Sequence, residues 1–222
     1  MRNRWFIALA AIGLHISIGS VYAWSVLTRP IMVDMGFTLS QTTWTFSLAI
    51  LMLGLSAGFL GSFAEKIGPK KSGLLAMLFW VTGLFGTAYA LSIHNLTLLY
   101  LFYGIIGGIG LGIGYITPVS TLVKYFPNRP GFATGLAIMG FGFASLIAGP
   151  LMQYLVAQVG LVDTFIILGV IYLAIMGASS LYLKAPQPKH STRTTKDRST
   201  MYVHTYGMLA NDAMKTWQFG AL

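Results

Sequence analysis

The side chains able to do chemistry are few and widely spaced. Among 222 residues there are four histidines, five Asp and Glu together, and no cysteine. His15, His94, His190 and His204 are scattered along the chain. No paired carboxylates, Ser/His/Asp set or metal-ligand spacing is present, so neither an enzyme nor a resident cofactor or metal is expected. What remains is a set of polar and aromatic residues inside apolar stretches, and one link dense in charge. His15, Gly19 and Tyr22 share a helix face by the i, i+4, i+7 spacing. Thr43 and Trp44 lie near one end of a second apolar stretch, and Tyr115 follows a run of glycines. Phenol and hydroxyl groups suit hydrogen bonding of a small polar ligand, and His15 adds a ring that can take a proton. Two of these residues have blander readings. Tyr22 is either a cavity donor or an interface-belt tyrosine, and His15 is either a proton-linked group or a neutral packing residue. Trp24 falls on another face and is assigned to lipid or packing contact.

The elements that must position these groups follow from composition. Charged residues make up 9% of the chain and apolar ones 55%, against roughly a quarter charged in soluble domains. Mean hydropathy is +0.72. The expected fold is an all-α membrane protein. Six stretches are long enough to cross about 30 Å of hydrocarbon, which takes roughly 20 helical residues. They are Trp5–Leu27, Gln41–Phe63, Gly73–Ser92, Leu96–Val119, Phe132–Ala157 and Thr164–Leu183. A barrel would show short alternating segments, and these are continuously apolar. The stretch after Arg2 and Arg4 is too long for a signal-peptide core and is read as a retained first span. Residues 1–184 then form a six-helix bundle in the lipid bilayer. Residues 185–222, rich in Pro, Ser, Thr, Lys and Arg, are expected to be a cytoplasmic linker.

Charge sets the orientation. With the N-terminus inside, all 14 Lys and Arg except Arg29 fall on the inner side. The opposite orientation breaks the positive-inside rule. The expected site is therefore a multi-pass place in the inner (plasma) membrane, with N-terminus and tail cytoplasmic. The net charge of +9 is a topology signal. It is not a nucleic-acid footprint, because the cations form no continuous patch with interleaved aromatics.

Helix packing is legible in glycine. Gly104, Gly108 and Gly112 recur every four residues and leave a bare stripe on the fourth span, against which another backbone can pack. Tyr115-Ile116-Thr117-Pro118 follows, and Pro118 is expected to kink or end that helix. Pro30 is expected at the end of the first helix. Gly149-Pro150 is read as a kink in the fifth.

The charged link reads Gly61-Ser62-Phe63-Ala64-Glu65-Lys66-Ile67-Gly68-Pro69-Lys70-Lys71. So short a link makes its two helices antiparallel neighbours. Gly61 permits close approach, Glu65 can pair with a base or a helix N-terminus, and Gly68 with Pro69 forces the turn. Together with Lys66, Lys70 and Lys71 this pattern resembles the loop between helices 2 and 3 of the major facilitator superfamily. The run Lys124-Tyr125-Phe126-Pro127-Asn128-Arg129-Pro130-Gly131 after Tyr115-x-x-Pro118, with Tyr22-Ala23-Trp24-Ser25, resembles the oxalate:formate antiporter branch, close to the monocarboxylate transporters.

That resemblance implies an N-terminal half of the fold, built as 3+3 inverted repeats. It implies secondary active transport of small organic anions such as oxalate, formate or a monocarboxylate by alternating access, with no enzymatic step. It also implies substrate contacts at Tyr22, Tyr115, Thr43, Trp44 and His15. The expected partners are a small carboxylate and a C-terminal six-helix half. Lys215-Thr216-Trp217-Gln218-Phe219 resembles the start of a seventh helix. The alternative expectation is a truncated, non-transporting six-helix remnant or assembly module.

The charge count yields the first prediction. In this cysteine-free chain, a cysteine replacing Lys70 should react with an impermeant thiol reagent only from the cytoplasmic side. One replacing His94 should react only from outside. Labelling with the sides exchanged would invert the topology.

Overall fold

A computed structural model describes residues 3–186. Among them the structure is helices joined by short links, with no strand. Five helices are long and apolar enough to cross a membrane: α1 (Arg4–Met35), α2 (Leu39–Ile67), α3 (Pro69–Ser92), α4 (Leu96–Tyr125) and α5 (Pro130–Tyr182). The expected linker beyond Pro186, with the seventh-helix resemblance, lies outside the described residues.

Helix ends follow capping chemistry. The Asn3 side chain accepts the Trp5 N–H at 3.0 Å, and Asn95 accepts that of Leu98 at 3.0 Å. At α2 the Gln41 N–H donates to Thr38 Oγ1 at 3.3 Å, while the Thr38 N–H donates to Gln41 Oε1 at 2.9 Å, a reciprocal capping box. Gly36 closes α1 at φ 69° with its N–H on the Met32 carbonyl, 3.1 Å. Gly68, at φ 83°, turns the chain between α2 and α3, and Pro69 occupies the first position of α3.

Neither Pro30 nor Pro118 ends its helix, against the expectation for Pro30 and leaving the kink as the remaining expectation for Pro118. Pro30 does not end the first helix: α1 continues to Met35, so Arg29 and Asp34 ride on its last turns. Pro118 does not end α4, which continues to Tyr125. Hydroxyls on either side of Pro118 bond back to the backbone, Thr117 to Ile113 O at 2.8 Å and Thr121 to Thr117 O at 2.6 Å. Neither bond reaches the Gly114 carbonyl, the acceptor that Pro118 leaves without its helical donor; Pro118 itself is buried among neighbouring helices. Helix α1 also tightens to a 3-10 turn at Ser20–Ala23, and α4 winds as a π-helix over Tyr100–Gly107.

Helix α5 has 53 residues, about 80 Å if straight and far beyond a bilayer core. Gly160 interrupts it with φ 82°, ψ 178°. Along residues 130–159, Ala137, Phe141 and Gly149 meet His15, Gly19 and Val26, so this limb runs with α1. Along residues 161–182 the order reverses: Phe165 meets Trp24, and Ser179 meets Gly13. The same second limb runs antiparallel to α3, with Gly169 at Phe85 and Ser180 at Gly73. The chain therefore doubles back at Gly160, and Pro150 is carried within the first limb.

The described ends segregate charge. Arg4 stacks on Phe126, Lys124 pairs with Glu65, and Tyr125 donates to the Lys184 carbonyl at 2.9 Å. This end thus gathers Arg4, Lys66, Lys70, Lys71, Lys124, Arg129 and Lys184. Arg29, Asp34, His94 and Asp163 lie at the other end.

Glycine sets the interhelical distances. A Cβ at Gly108 would lie 2.6 Å from Met52 Cβ and 2.8 Å from the Ala49 carbonyl of α2. Gly104 and Gly112 meet Leu48 and the Leu53 carbonyl of the same helix. Gly110 and Gly107 lie against Trp80 of α3. Helix α2 buries only a seam for this contact, Thr42, Thr45, Ala49, Ser56 and Ala64. Beside α4, Trp24, Trp80, Tyr103 and Phe165 form a buried aromatic knot, with Trp24 and Tyr103 centroids 4.3 Å apart. Trp24 is therefore a packing residue, and its Nε1–H donates to the Thr42 carbonyl at 3.2 Å.

Gly108→Ala should cost about 1–3 kcal/mol by overpacking, read as a lower thermal midpoint and a smaller monodisperse yield in detergent. Gly58→Ala, which meets open space, should be tolerated. Equal behaviour of both variants would remove close α2–α4 approach as a determinant of stability.

Candidate functional site

Two regions hold most of the residues singled out by sequence: the charged end and an aromatic cluster near the middle of the bundle. At the charged end, the ideal Cβ position of Gly61 lies 2.9 Å from Ile116 of α4, so α2 and α4 nearly touch. One turn on, Lys124 Nζ sits 3.3 Å from Glu65 Oε1. Both side chains are about half exposed, so the pair is worth little by itself. The Ser72 and Thr117 hydroxyls, buried and 2.5 Å apart, tie α3 to α4 just beneath. Glu65, Thr121, Lys124 and Pro186 line a small cleft of about 60 Å³ there. Lys66, Lys70 and Lys71 are exposed. The link thus couples α2, α3 and α4 at one end.

The second region is built on α1. His15 is fully buried. Its Nδ1 lies 2.6 Å from the Ala137 carbonyl of α5 and its Nε2 3.1 Å from the Tyr115 carbonyl of α4. The Tyr115 ring stacks on the imidazole, centroids 5.6 Å apart and planes at 25°. Phe141 of α5 joins the group: its ring centroid is 5.7 Å from His15, 5.3 Å from Tyr115 and 5.2 Å from Tyr22. Phe46 of α2 reaches Tyr22 at 6.3 Å. Gly19 makes this possible, since a Cβ there would lie 2.8 Å from Ala144 Cβ and closer still to the Phe141 carbonyl.

The cluster grades from buried to open. His15 is covered, Tyr115 is half-buried, and Tyr22 is 44% exposed near the middle of α1. Neither tyrosine hydroxyl has a hydrogen-bond partner among the described residues. An exposed, unpaired hydroxyl at mid-helix is costly in hydrocarbon. It suits a face that meets water, a ligand or another protein body.

Of the five site residues read from sequence, the structure brings together His15, Tyr22 and Tyr115. Thr43 shares the α2 face of Phe46 by helical spacing and is exposed one turn away. Trp44 points from the opposite side of α2 and is 58% exposed. It makes no ring contact with the cluster among the described residues. Sequence reasoning missed Phe141 and Phe46, which hold the three residues together. The only signal for Phe141 was its place between Gly140 and Gly142, on a helix edge left bare for close packing. No group of three His, Cys, Asp or Glu able to hold a metal occurs among the described residues.

Comparison with known proteins gives a consistent set of matches. The profile of the Major Facilitator Superfamily matches residues 6–219. The uncharacterized MFS-type transporter YhjX of Escherichia coli strain K12 is 31% identical over 194 residues, 87% of this chain and 47% of that protein. The oxalate:formate antiporter of Oxalobacter formigenes is 28% identical over 170 residues, 76% of this chain and 40% of that protein. Human monocarboxylate transporter 14 is 28% identical over 170 residues, 76% of this chain and 33% of that protein. The chain thus spans a third to a half of the length of these relatives.

The charged end generates a prediction. A double-mutant cycle of Glu65→Gln and Lys124→Met should give a coupling below about 1 kcal/mol, shrinking as salt is raised. A coupling of several kcal/mol, insensitive to salt, would mean that the pair is closed off from water by contacts beyond those seen here.

Proposed function

We propose a transport function on the premise of family: the chain belongs to the major facilitator superfamily. The reading is a secondary active carrier of small organic anions such as oxalate, formate or a monocarboxylate, working by alternating access. The chain supplies six membrane spans, because α5 counts twice once the reversal at Gly160 is taken as a loop between helices. Spans 1–3 and 4–6 are then the 3+3 inverted repeats of such carriers. The cation-rich end is cytoplasmic in the plasma (inner) membrane.

The observation that carries this reading is the open side of the aromatic cluster. Tyr22 and Tyr115 offer hydroxyl donors at mid-membrane depth, where an unpaired polar group is otherwise expensive. A carboxylate accepts such hydrogen bonds. Thr43 on the neighbouring face of α2 adds a hydroxyl. The names of the relatives point to the same chemical class. No Lys, Arg, Asp or Glu of the described residues lies deep in a span, so a second bundle is proposed to face the cluster and to contribute fixed cations. Alternating access needs two bundles rocking about a site between them.

The test is carboxylate exchange in liposomes. The 222-residue chain alone should show no saturable uptake of labelled oxalate, formate or lactate above empty vesicles. Together with a matching six-helix half, uptake should appear. Tyr22→Phe and Tyr115→Phe should each then weaken substrate affinity about fivefold, the equivalent of one hydrogen bond of about 1 kcal/mol. Tyr89→Phe, at the far end of α3, should leave it unchanged. Saturable exchange by the chain alone would overturn the two-bundle reading, and unchanged affinity in both cluster variants would return the tyrosines to packing.

A further inference from the structure

His15 is placed between two acceptors, and that decides its protonation. A carbonyl oxygen only accepts hydrogen bonds. At 2.6 Å from the Ala137 carbonyl, Nδ1 must carry a proton, because two lone pairs at that distance repel. Turning the ring over is no escape. It would put a ring carbon at the same place, well inside the roughly 3.3–3.6 Å of a C–H···O contact. With Nδ1–H fixed, Nε2 lies 3.1 Å from a second carbonyl, that of Tyr115. A neutral imidazole has one N–H and one lone pair. In that form Nε2 would aim its lone pair at a carbonyl lone pair in a fully buried site, leaving a hydrogen bond unmade. Only the doubly protonated ring satisfies both contacts.

Burial opposes the charge. Three features favour it: two charge-assisted hydrogen bonds, the Tyr115 face stacked over the ring, and the Phe141 ring beside it. Among the described residues no charged side chain is seen against the ring. Helix α4 presents Tyr115. The first limb of α5 presents Ala137, Gly140 and Phe141, none titratable. The second limb contributes Tyr172, which sits by Ser20, and α1 itself contributes Tyr22 one aromatic ring away.

We propose that His15 is a proton-binding site built into the bundle. In the conformation described here the ring takes one proton from water and becomes a cation that bridges the backbones of α4 and α5 through α1. The proton is released to water when one carbonyl moves away, so protonation and the packing of α1, α4 and α5 are linked. The charge lies one aromatic layer behind the Tyr22–Tyr115 face. There it would favour a carboxylate on the open side, a use that rests on the transport reading, whereas the protonation does not.

The experiment is nitrogen NMR of the full chain in lipid nanodiscs with 15N-labelled histidine. His94→Asn, His190→Asn and His204→Asn together leave His15 as the sole imidazole. Where that variant folds poorly, subtracting the His15→Gln spectrum from that of the natural chain isolates the same signal. At about pH 5 both ring nitrogens should resonate as protonated, with one proton lost as the pH is raised. One protonated and one bare nitrogen already at about pH 5 would overturn the proposal. Lactate, added to the chain together with a matching six-helix half, should raise the midpoint. A titrating cation whose midpoint lactate leaves unmoved would count against the carboxylate reading alone and leave the proton site standing.

Discussion

Hydrocarbon offers a backbone amide no partner, so every N–H and C=O in a membrane span must be satisfied by the chain itself. The rest of this structure depends on that constraint. It selects helices, and it leaves dispersion and close packing to hold them together, since apolar side chains gain little by leaving lipid. Helix α4 meets the demand with glycine on two edges. Gly104, Gly108 and Gly112 admit the backbone of α2, and Gly107 with Gly110 admits Trp80 of α3. Gly19 does the same for α1 against the first limb of α5.

Close approach has a chemical consequence. Because α1 lies so near α4 and α5, a histidine on α1 reaches backbone carbonyls of both neighbours. The same closeness stacks Tyr115 on the imidazole and lets Phe141 touch three rings. Some polar groups that would be a liability in lipid meet partners inside the bundle, as the His15 ring nitrogens meet two carbonyls, and others lie on a half-open face, like the Tyr22 hydroxyl, while Thr45 Oγ1, Trp80 Nε1 and Ser180 Oγ are buried without a partner among the described residues. The gradation from buried ring to exposed phenol gives the cluster a direction. The charged end is organised differently, by a solvated ion pair and a turn fixed at Gly68, with the buried Ser72–Thr117 contact beneath.

Proline shows how a local rule yields to its surroundings. Pro30 and Pro118 each remove one backbone donor, yet α1 and α4 run on past them. Around Pro118 the Thr117 and Thr121 hydroxyls bond back to the helix, and the residue is buried among neighbouring helices. At Gly160 the left-handed backbone permits what proline does not impose, a reversal of chain direction.

Local pattern carried what depends on local chemistry. Long apolar stretches specified helices in lipid, the Lys and Arg distribution marked one end, and the four-residue glycine period marked the close edge of α4. Gly68-Pro69 specified a turn because its backbone preferences are intrinsic. The shared face of His15, Gly19 and Tyr22 followed from the helical repeat alone. Which groups those faces meet did not. The partners of His15 lie 100 and 122 residues away, at Tyr115 and Ala137. Lys124 lies 59 residues from Glu65, and Phe141 was hidden as one aromatic between two glycines. Periodicity fixes the direction of a side chain about its own helix axis. It holds no information on the rotation and depth of the neighbouring helix, and only their packing together decided the two carbonyls that bracket His15.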